Sequence, residues 1–343
     1  MADRMPPPPL RATVRSIARE TGYSVATVSR ALNGLESVRP ETMQQIVDVA
    51  NRLGYRRSAS AASLRTGRSR VISLLVPLAR EGDILGNHGA LQLVSGADRR
   101  LVRDGWTLSL VPHPPDGDGS AELESVIRQG LCDGVIIEQT RPSDERVRRL
   151  ADAGFPFVTF GRTQEAVPHP HYDVDNDDFG HRAARFLIES GCRRPLLVAP
   201  DGGLSYGIHR RAGFARALNE AGMSYDPARS VLTESGDGDI VKRMLDRLDG
   251  PDAPDGICCG NEVATLALIH RLLATGRRIG RDVHLTQVET SDLPDHYPVP
   301  VSGFFQDLDL AGWLLADFLL RRIEGAAPET LARVDRMTFR PRG

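Results

Sequence analysis

From residue 70 onward the chain alternates short apolar runs with amphipathic stretches, and this alternation constrains the fold more than any other feature. The strand candidates are VISLLV (71–76), TLSLV (107–111), GVII (134–137), FVTF (157–160), LLVA (196–199), DGICC (255–259) and VHLTQV (283–288). Helical periodicity lies between them, around 88–103, 120–130, 143–153, 177–190, 209–221, 239–249 and 261–275, with a last helix over 308–323. Strands separated by helices build parallel sheets covered on both faces, which predicts an α/β body with enough units for two lobes. Ligands of open α/β sheets bind outside the carboxyl ends of the strands. Two lobes facing each other there would enclose a cleft able to close on a small molecule.

The first 70 residues follow a different pattern. VRSIARETGYSVATVSRALN (14–33) reads as two short helices joined by a turn at Gly22, where the backbone needs freedom that a Cβ would remove. Val14, Ile17 and Ala18 share one face of the first helix, with Thr13 as its N-cap. Ser24 caps the second, whose exposed face carries Ala26, Ser29, Arg30 and Asn33. Small side chains beside one Arg suit a helix that lies deep in the DNA major groove. A third helix, 40–53, starts with Pro40 and Glu41 and carries the apolar stripe Met43, Ile46, Val49, Ala50 and Leu53 before Gly54 ends it. Beyond Tyr55-Arg56-Arg57, the run SASAASL (58–64) is too short to hold as an isolated helix, so it needs DNA or a second subunit as partner.

Charge divides the chain at the same place. Residues 1–70 hold twelve Arg against five acidic residues, a balance of +7, which leaves −9 for the rest of a chain whose net charge is −2. A basic head on an acidic body is the electrostatic footprint of a nucleic-acid reader with a separate sensing domain.

SVATVSRALN, the LGY at 53–55, the A-x-x-L from Ala61 to Leu64 and the following TGR resemble the lactose/galactose-repressor (LacI/GalR) family, and the likeness extends over nearly the whole chain. The resemblance implies a disordered lead (1–12), a three-helix helix-turn-helix head (13–57) and a hinge helix and linker (58–69). After these comes an effector-binding and dimerisation core (70–343) of two doubly wound, periplasmic-binding-protein-like lobes. The chain would cross between the lobes three times, giving an N-lobe of about 70–173 and 305–335 and a C-lobe of about 174–304 and 336–343. The DNA contacts it implies are Thr13, Ser24, Val25, Ala26, Thr27, Ser29, Arg30, Asn33, Tyr55, Ala61 and Leu64. Val25 and Ala26 would read half-site bases, Arg30 would meet a base or phosphate, and Leu64 would wedge between central base pairs. Two departures stand out: Arg39 replaces a common capping Ser or Thr, and Arg57-Ser58 replaces the usual Pro-Asn before the hinge, although Ser58 can still cap.

In the core, Arg210 opens the family's R-x-x-G-F motif, where its guanidinium fork suits ligand hydroxyls or a carboxylate. Glu138, Phe160, Asp175, Asn261, Glu289 and Gln306 match the other effector positions, with Val288-Glu289-Thr290 standing where Tyr-Asp-Asp is common. Carboxylates accept from hydroxyls and repel anions, so the expected ligand is a neutral polyhydroxylated molecule, with Phe160 and Tyr206 available to stack on a sugar. FPFVTFGR, DVDN and SYGIHRRAGF are most similar to the α-glucoside-type regulators of the family. The expected function is a ligand-controlled, dimeric repressor on a palindromic operator. A non-sugar effector or a co-repressor would use the same parts. The chain ends at Gly343 without a heptad tail, which favours dimers over tetramers.

Other classes fit less well. No apolar run approaches the ~20 residues of a membrane span, and MADRMPPPPL lacks an apolar signal region, so the expected location is the cytoplasm. Cys132, Cys192, Cys258 and Cys259 lack metal-ligand spacing and read as buried free thiols. His169-Pro170-His171 has no third ligand in register, and neither a metal nor a cofactor is expected. Gly203-Leu204-Ser205-Tyr206-Gly207 formally matches a hydrolase nucleophile elbow. However, Pro200-Asp201-Gly202 separates it from the strand, and no later His is placed with an orienting acid. The chain is therefore not expected to be an enzyme, with Ser205 as the distant alternative.

Overall fold

A computed structural model describes residues 12–32, 38–55, 67–78, 88–114, 117–200, 203–226, 231–233, 246–248, 250 and 252–342. The chain divides into two units between Ser69 and Arg70.

The first unit holds α1 (Val14–Thr21), α2 (Val25–Leu32) and α3 (Pro40–Arg52). A reciprocal capping box opens α1: Ser16 N–H donates to Thr13 Oγ1 at 3.2 Å, and Thr13 N–H donates to Ser16 Oγ at 2.8 Å. Gly22 closes it in the left-handed region, φ 75°, with its N–H on the Ala18 carbonyl. Ser24 Oγ accepts from Thr27 N–H at 3.0 Å at the start of α2. Arg39 makes no side-chain cap to α3. Pro40 eases the loss, because its missing N–H is one that the first turn could not satisfy. Ile17, Val28 and Ile46 are fully buried at the centre of the three helices, with Ala18, Ala31 and Ala50 between them.

The second unit runs β1 (Val71–Pro77), α4 (His88–Arg103), β2 (Thr107–His113), α5 (Ser120–Arg128), β3 (Gly134–Ile137), α6 (Glu145–Asp152), β4 (Phe157–Phe160) and β5 (His171–Val174). It continues with α7 (Asn176–Glu189), β6 (Pro195–Pro200), α8 (Ser205–Glu220), β7 (Val231–Thr233), β8 (Gly256–Cys259), α9 (Glu262–Ala274), β9 (His284–Glu289) and β10 (Ser302–Phe305). Last come α10 (Leu308–Ile323), β11 (Ala332–Asp335) and β12 (Thr338–Arg340). One six-stranded sheet has the order β11-β5-β4-β3-β1-β2, the other β12-β10-β9-β8-β6-β7. Ile72 of β1 sits opposite Leu108 of β2 and Gly134 of β3, all parallel.

The chain passes between sheets after β5, after β10 and after β11. Only Arg336 and Met337 separate β11 from β12, so the chain leaves one sheet at its carboxyl edge and enters the other at the facing edge. That forces β12 antiparallel to β10, with Phe304 opposite Phe339. Reading the segments as parallel throughout did not foresee this strand. Most of the helix expected over 239–249 lies outside the described residues, and α8 starts earlier than expected, at Ser205.

Each lobe is braced by one close helix pair. In the first, Gly96 of α4 faces the Asp309 carbonyl of α10, and Gly312 of α10 faces the Leu93 carbonyl of α4. In the second, Gly180 of α7 faces the Arg210 carbonyl of α8, and Gly213 of α8 faces the Asp177 carbonyl of α7. A Cβ at any of the four would collide with backbone. Around these pairs pack Ile72, Leu93, Ile136, Val158, Leu315 and Leu319 in one lobe, and Phe179, Ala183, Phe214 and Phe304 in the other. No helix among the described residues is long and apolar enough to cross a membrane.

Candidate functional site

In the helical head, Ser24 just before α2 and Val25, Ala26, Ser29 and Arg30 on it are exposed, while Val28, Ala31 and Leu32 on the opposite face are buried. Val25 stands 48% exposed, an apolar side chain left open at the amino end of a helix. Thr27 is half-buried, and its hydroxyl lies 2.8 Å from Ser24 Oγ, so these two residues shape the helix start. Thr13 is exposed at the start of α1 and engaged in the capping box. Tyr55 is half-buried against the core, with its N–H on the Ala50 carbonyl at 2.8 Å. Asn33, Ala61, Leu64 and the hinge residues through 66 lie outside the described residues.

In the α/β unit a cleft of about 320 Å³ opens between the carboxyl ends of the two sheets. Its wall brings together five of the expected residues: Glu138 after β3, Phe160 ending β4, Arg210 on α8, Asn261 before α9 and Gln306 after β10. Tyr206 lines it too. Strand ends and helix starts supply the polar residues because both sheets point their carboxyl edges inward.

Arg210 is only 6% exposed. Its Nε donates to Asn176 Oδ1 at 2.8 Å, and its guanidinium lies over the rings of Tyr206 and Phe179, 5.0 and 5.1 Å from their centroids. Burial pulls its pKa below the ordinary value, with Tyr206 opposing, yet a guanidinium remains charged in proteins. Its Nη atoms carry no hydrogen bond among the described residues, so the fork is presented to the cleft. Asn176 is held in turn by donating Nδ2 to the Val174 carbonyl at 3.0 Å and to Asp173 Oδ1 at 3.3 Å. Asp173 also accepts from Arg162 Nε at 2.8 Å. The close approach of Gly213 to α7 sets Arg210 and Asn176 at bonding distance, which gives the R-x-x-G-F spacing a geometric meaning.

Glu138 differs from every other carboxylate of the wall. Its Oε1 is buried with no hydrogen-bond partner. Burial pushes its pKa up to about 7, against the opposing pull of Arg146. Arg146 is itself buried and bonded through all three of its guanidinium nitrogens. It donates through Nε and Nη2 to Asp144 at 2.9 and 2.7 Å, through Nη1 to the Asp118 carbonyl at 2.7 Å, and through Nη2 to the Gln139 carbonyl at 3.1 Å. Gln139 adopts φ 54°, a left-handed backbone that this carbonyl contact helps to hold.

Asn261 uses Oδ1 to cap α9, accepting from Ala264 N–H at 2.8 Å, while no bond from its NH2 group to a described residue is formed. Gln306 is 7% exposed and anchored by its N–H on the Glu289 carbonyl at 2.8 Å. Phe160 stacks on Tyr172 with centroids 6.0 Å apart, so part of its face belongs to the core.

Two expected residues fall elsewhere. Asp175 caps α7 by accepting from Asp178 N–H at 3.0 Å, and its neighbour Asn176 takes the place in the wall. Glu289 is fully buried behind the cleft. Arg342 clasps both of its oxygens, Arg340 approaches to 3.7 Å, and Gly303 leaves the space that the carboxylate occupies. Thr290 lines the cleft in its stead. Sequence reasoning also passed over Glu262, which is 8% exposed and lines the cleft. It accepts from Thr290 N–H and Ser291 N–H, both at 2.8 Å, and so fixes the loop after β9. Its signal was available: an acidic residue in the first turn of a helix that follows a strand end.

Ser205 is 2% exposed, and its Oγ makes no hydrogen bond among the described residues, to His209 one turn on or to any other group. Its N–H donates to the Thr140 carbonyl across the cleft at 2.8 Å. A hydroxyl without a base or access is no nucleophile. His169 and His171 turn their Nδ1 atoms to the carbonyls of Val167 and His169, and no metal-holding cluster occurs among the described residues. All four cysteines are buried and free.

Residues 13–58 match the family described as bacterial regulatory proteins, lacI family, and residues 184–343 match the periplasmic binding protein-like domain. The HTH-type transcriptional regulator AglR of Rhizobium meliloti (strain 1021) is 31% identical over 327 residues, covering 92% of this chain and 90% of AglR. The structure of the transcriptional regulator CelR–cellobiose complex is similar with a TM-score of 0.70 and 26% identity, over 97% of this chain and 99% of that one. The Lac repressor dimer bound to operator and the anti-inducer ONPF has a TM-score of 0.83 at 18% identity, over 97% and 98% of the two chains, a likeness of fold.

Proposed function

The chain belongs to the lacI family of bacterial regulatory proteins, and from that premise we propose that it is a cytoplasmic repressor that binds a palindromic operator as a homodimer and is controlled by a small sugar. Membership makes it a DNA-binding transcriptional regulator with an effector-binding domain, and not an enzyme.

One observation carries the choice of ligand. The same cleft holds a buried guanidinium fork with uncommitted Nη donors and a carboxyl oxygen with no partner. A polyol satisfies both at once, because each hydroxyl can donate and accept. The NH2 of Asn261 and the side chain of Gln306 add polar contacts around a ring, and Phe160 and Tyr206 offer it apolar faces. The cellobiose in the CelR complex is consistent with a sugar in a cleft of this kind.

At the head, Val25 and Ala26 present small apolar surfaces to base edges and Arg30 a fork to a base or phosphate. Thr13, Ser24, Thr27, Ser29 and Tyr55 hold the helices on the backbone, and Asn33, Ala61 and Leu64 extend the contact toward the operator centre. Two heads in one dimer read an inverted repeat, whose half-site spacing mirrors the protein's two-fold symmetry. Ligand binding favours a closed cleft and shifts operator affinity by the difference in its affinity for the two states.

The test is a thermal-shift screen of the protein with mono- and disaccharides, α-glucosides first, then purines and organic acids, with every hit repeated in an operator-binding titration. A saccharide that raises the melting temperature and weakens DNA binding is the expected result. Stabilisation by an acid or purine alone overturns the sugar, and tighter DNA binding with a saccharide makes that saccharide a co-repressor.

A further inference from the structure

The unpartnered oxygen of Glu138 has a consequence for how the cleft senses its ligand. A charged carboxylate with one oxygen buried and unbonded is costly, and holding a proton avoids part of that cost. Among the described residues no charged or titratable neighbour bonds to Glu138 Oε1. Arg146 on α6 has its guanidinium committed to Asp144 and to two carbonyls. Arg210 on α8 bonds Asn176 through Nε and turns its Nη fork to the cleft, and no ion pair among the described residues joins it to Glu138. Tyr206, also on α8, is pushed further from ionisation by burial. Asp173 is tied to Arg162, and Glu262 to the backbone and hydroxyls of residues 290 and 291.

We propose that Glu138 is a proton-exchanging contact of the effector: protonated in a large fraction of ligand-free molecules, it releases its proton to solvent when a ligand hydroxyl donates a hydrogen bond to Oε1. The proposal rests on the reading of this cleft as the effector site, and it adds that effector affinity depends on pH. A donating hydroxyl stabilises the charged carboxylate, so the bound state holds the proton more weakly than the free state. Affinity is then greatest above the free group's titration near pH 7 and falls as pH drops through it. An anionic ligand would do the reverse, because a second negative charge favours the protonated acid. The direction of proton flow therefore reports the chemical class of the ligand.

Two arms test this on the full chain. In the ligand-free arm, the stability of wild type relative to Glu138→Gln is followed from pH 5 to pH 8. Glu138 is a stronger acid in the unfolded chain than in the folded one, so wild type should lose ground as pH rises toward the folded group's titration near pH 7 and level off above it. Parallel curves overturn the proposal. In the ligand arm, maltose and cellobiose are titrated by calorimetry in phosphate and in Tris at pH 7. Binding should release about half a proton, and affinity should weaken about tenfold from pH 8 to pH 6, a slope that Glu138→Gln removes. Proton uptake, a flat profile, or an unchanged slope in the variant overturns it. If neither saccharide binds, the sugar in the functional reading fails, while the ligand-free curves still decide the state of Glu138.

Discussion

Glu138 and Glu289 stand at the carboxyl ends of interior strands, one in each sheet, the first in the wall of the cleft and the second buried behind it, and their pairing differs. Glu289 is met by Arg342 on both oxygens and by Arg340, in space that Gly303 leaves open. Glu138 also has a buried arginine nearby, but all three guanidinium nitrogens of Arg146 are bonded to Asp144 and to the carbonyls of residues 118 and 139, and none to Glu138. The comparison teaches that the commitment of the neighbouring cation, rather than its presence, separates a structural acid from a responsive one. A paired buried carboxylate is a clamp. An unpaired one beside a cleft has an interaction still to make.

The largest expected effect comes from breaking the clamp. Arg342→Met leaves Glu289 buried beside only the more distant Arg340 and should cost about 3 kcal/mol in chemical denaturation; a loss under 1 kcal/mol would mean that the two glutamates are not distinguished by pairing. Next, Arg210→Ala removes a cleft guanidinium whose Nη donors bond to no described residue. Effector affinity should fall on the order of 10- to 100-fold, with operator affinity in the absence of ligand unchanged in a gel-shift or anisotropy titration. Gly213→Ala should cost about 1–3 kcal/mol by driving α8 from α7, and it should weaken effector binding as well, because Arg210 and Asn176 separate. Destabilisation without that weakening would detach the helix contact from the site. The smallest effect belongs to Glu138→Gln, which should leave stability at pH 7 within about 1 kcal/mol of wild type or raise it, in contrast to Arg342→Met.

The parts of the fold legible in the sequence are those specified by local chemistry. Thr13, Gly22 and Ser24 punctuate the head because caps and turns act over three or four residues. The central strands were legible because burial on both faces makes them continuous apolar runs. β5, β10, β11 and β12 were not, since three or four residues such as HYDV or ARVD carry no period and owe their pairing to partners across a sheet.

The same limit governs the site. Asp175 sits at a strand end, which suggests a ligand contact, but it also precedes a helix, and the cap took its carboxylate. The partner that turns Glu289 away from the cleft is 53 residues distant, so nothing near it in the chain announces the clamp. Asn176 was visible in DVDN, yet its role depends on how α7 meets α8.

The four glycines that brace the helix pairs also decide where the α/β unit can flex. Backbone lies against backbone at Gly96 and Gly312 and again at Gly180 and Gly213, so neither pair can slide without collision. α7 begins just after the first passage between sheets and α10 just after the second, each locked into its own lobe from the outset. Each lobe is in effect a stiff jaw, and the work of biting down must be absorbed in the few residues around 175, 306 and 336. A single methyl group added at any of the four positions would loosen a jaw rather than jam a joint, blurring the stroke that a ligand drives.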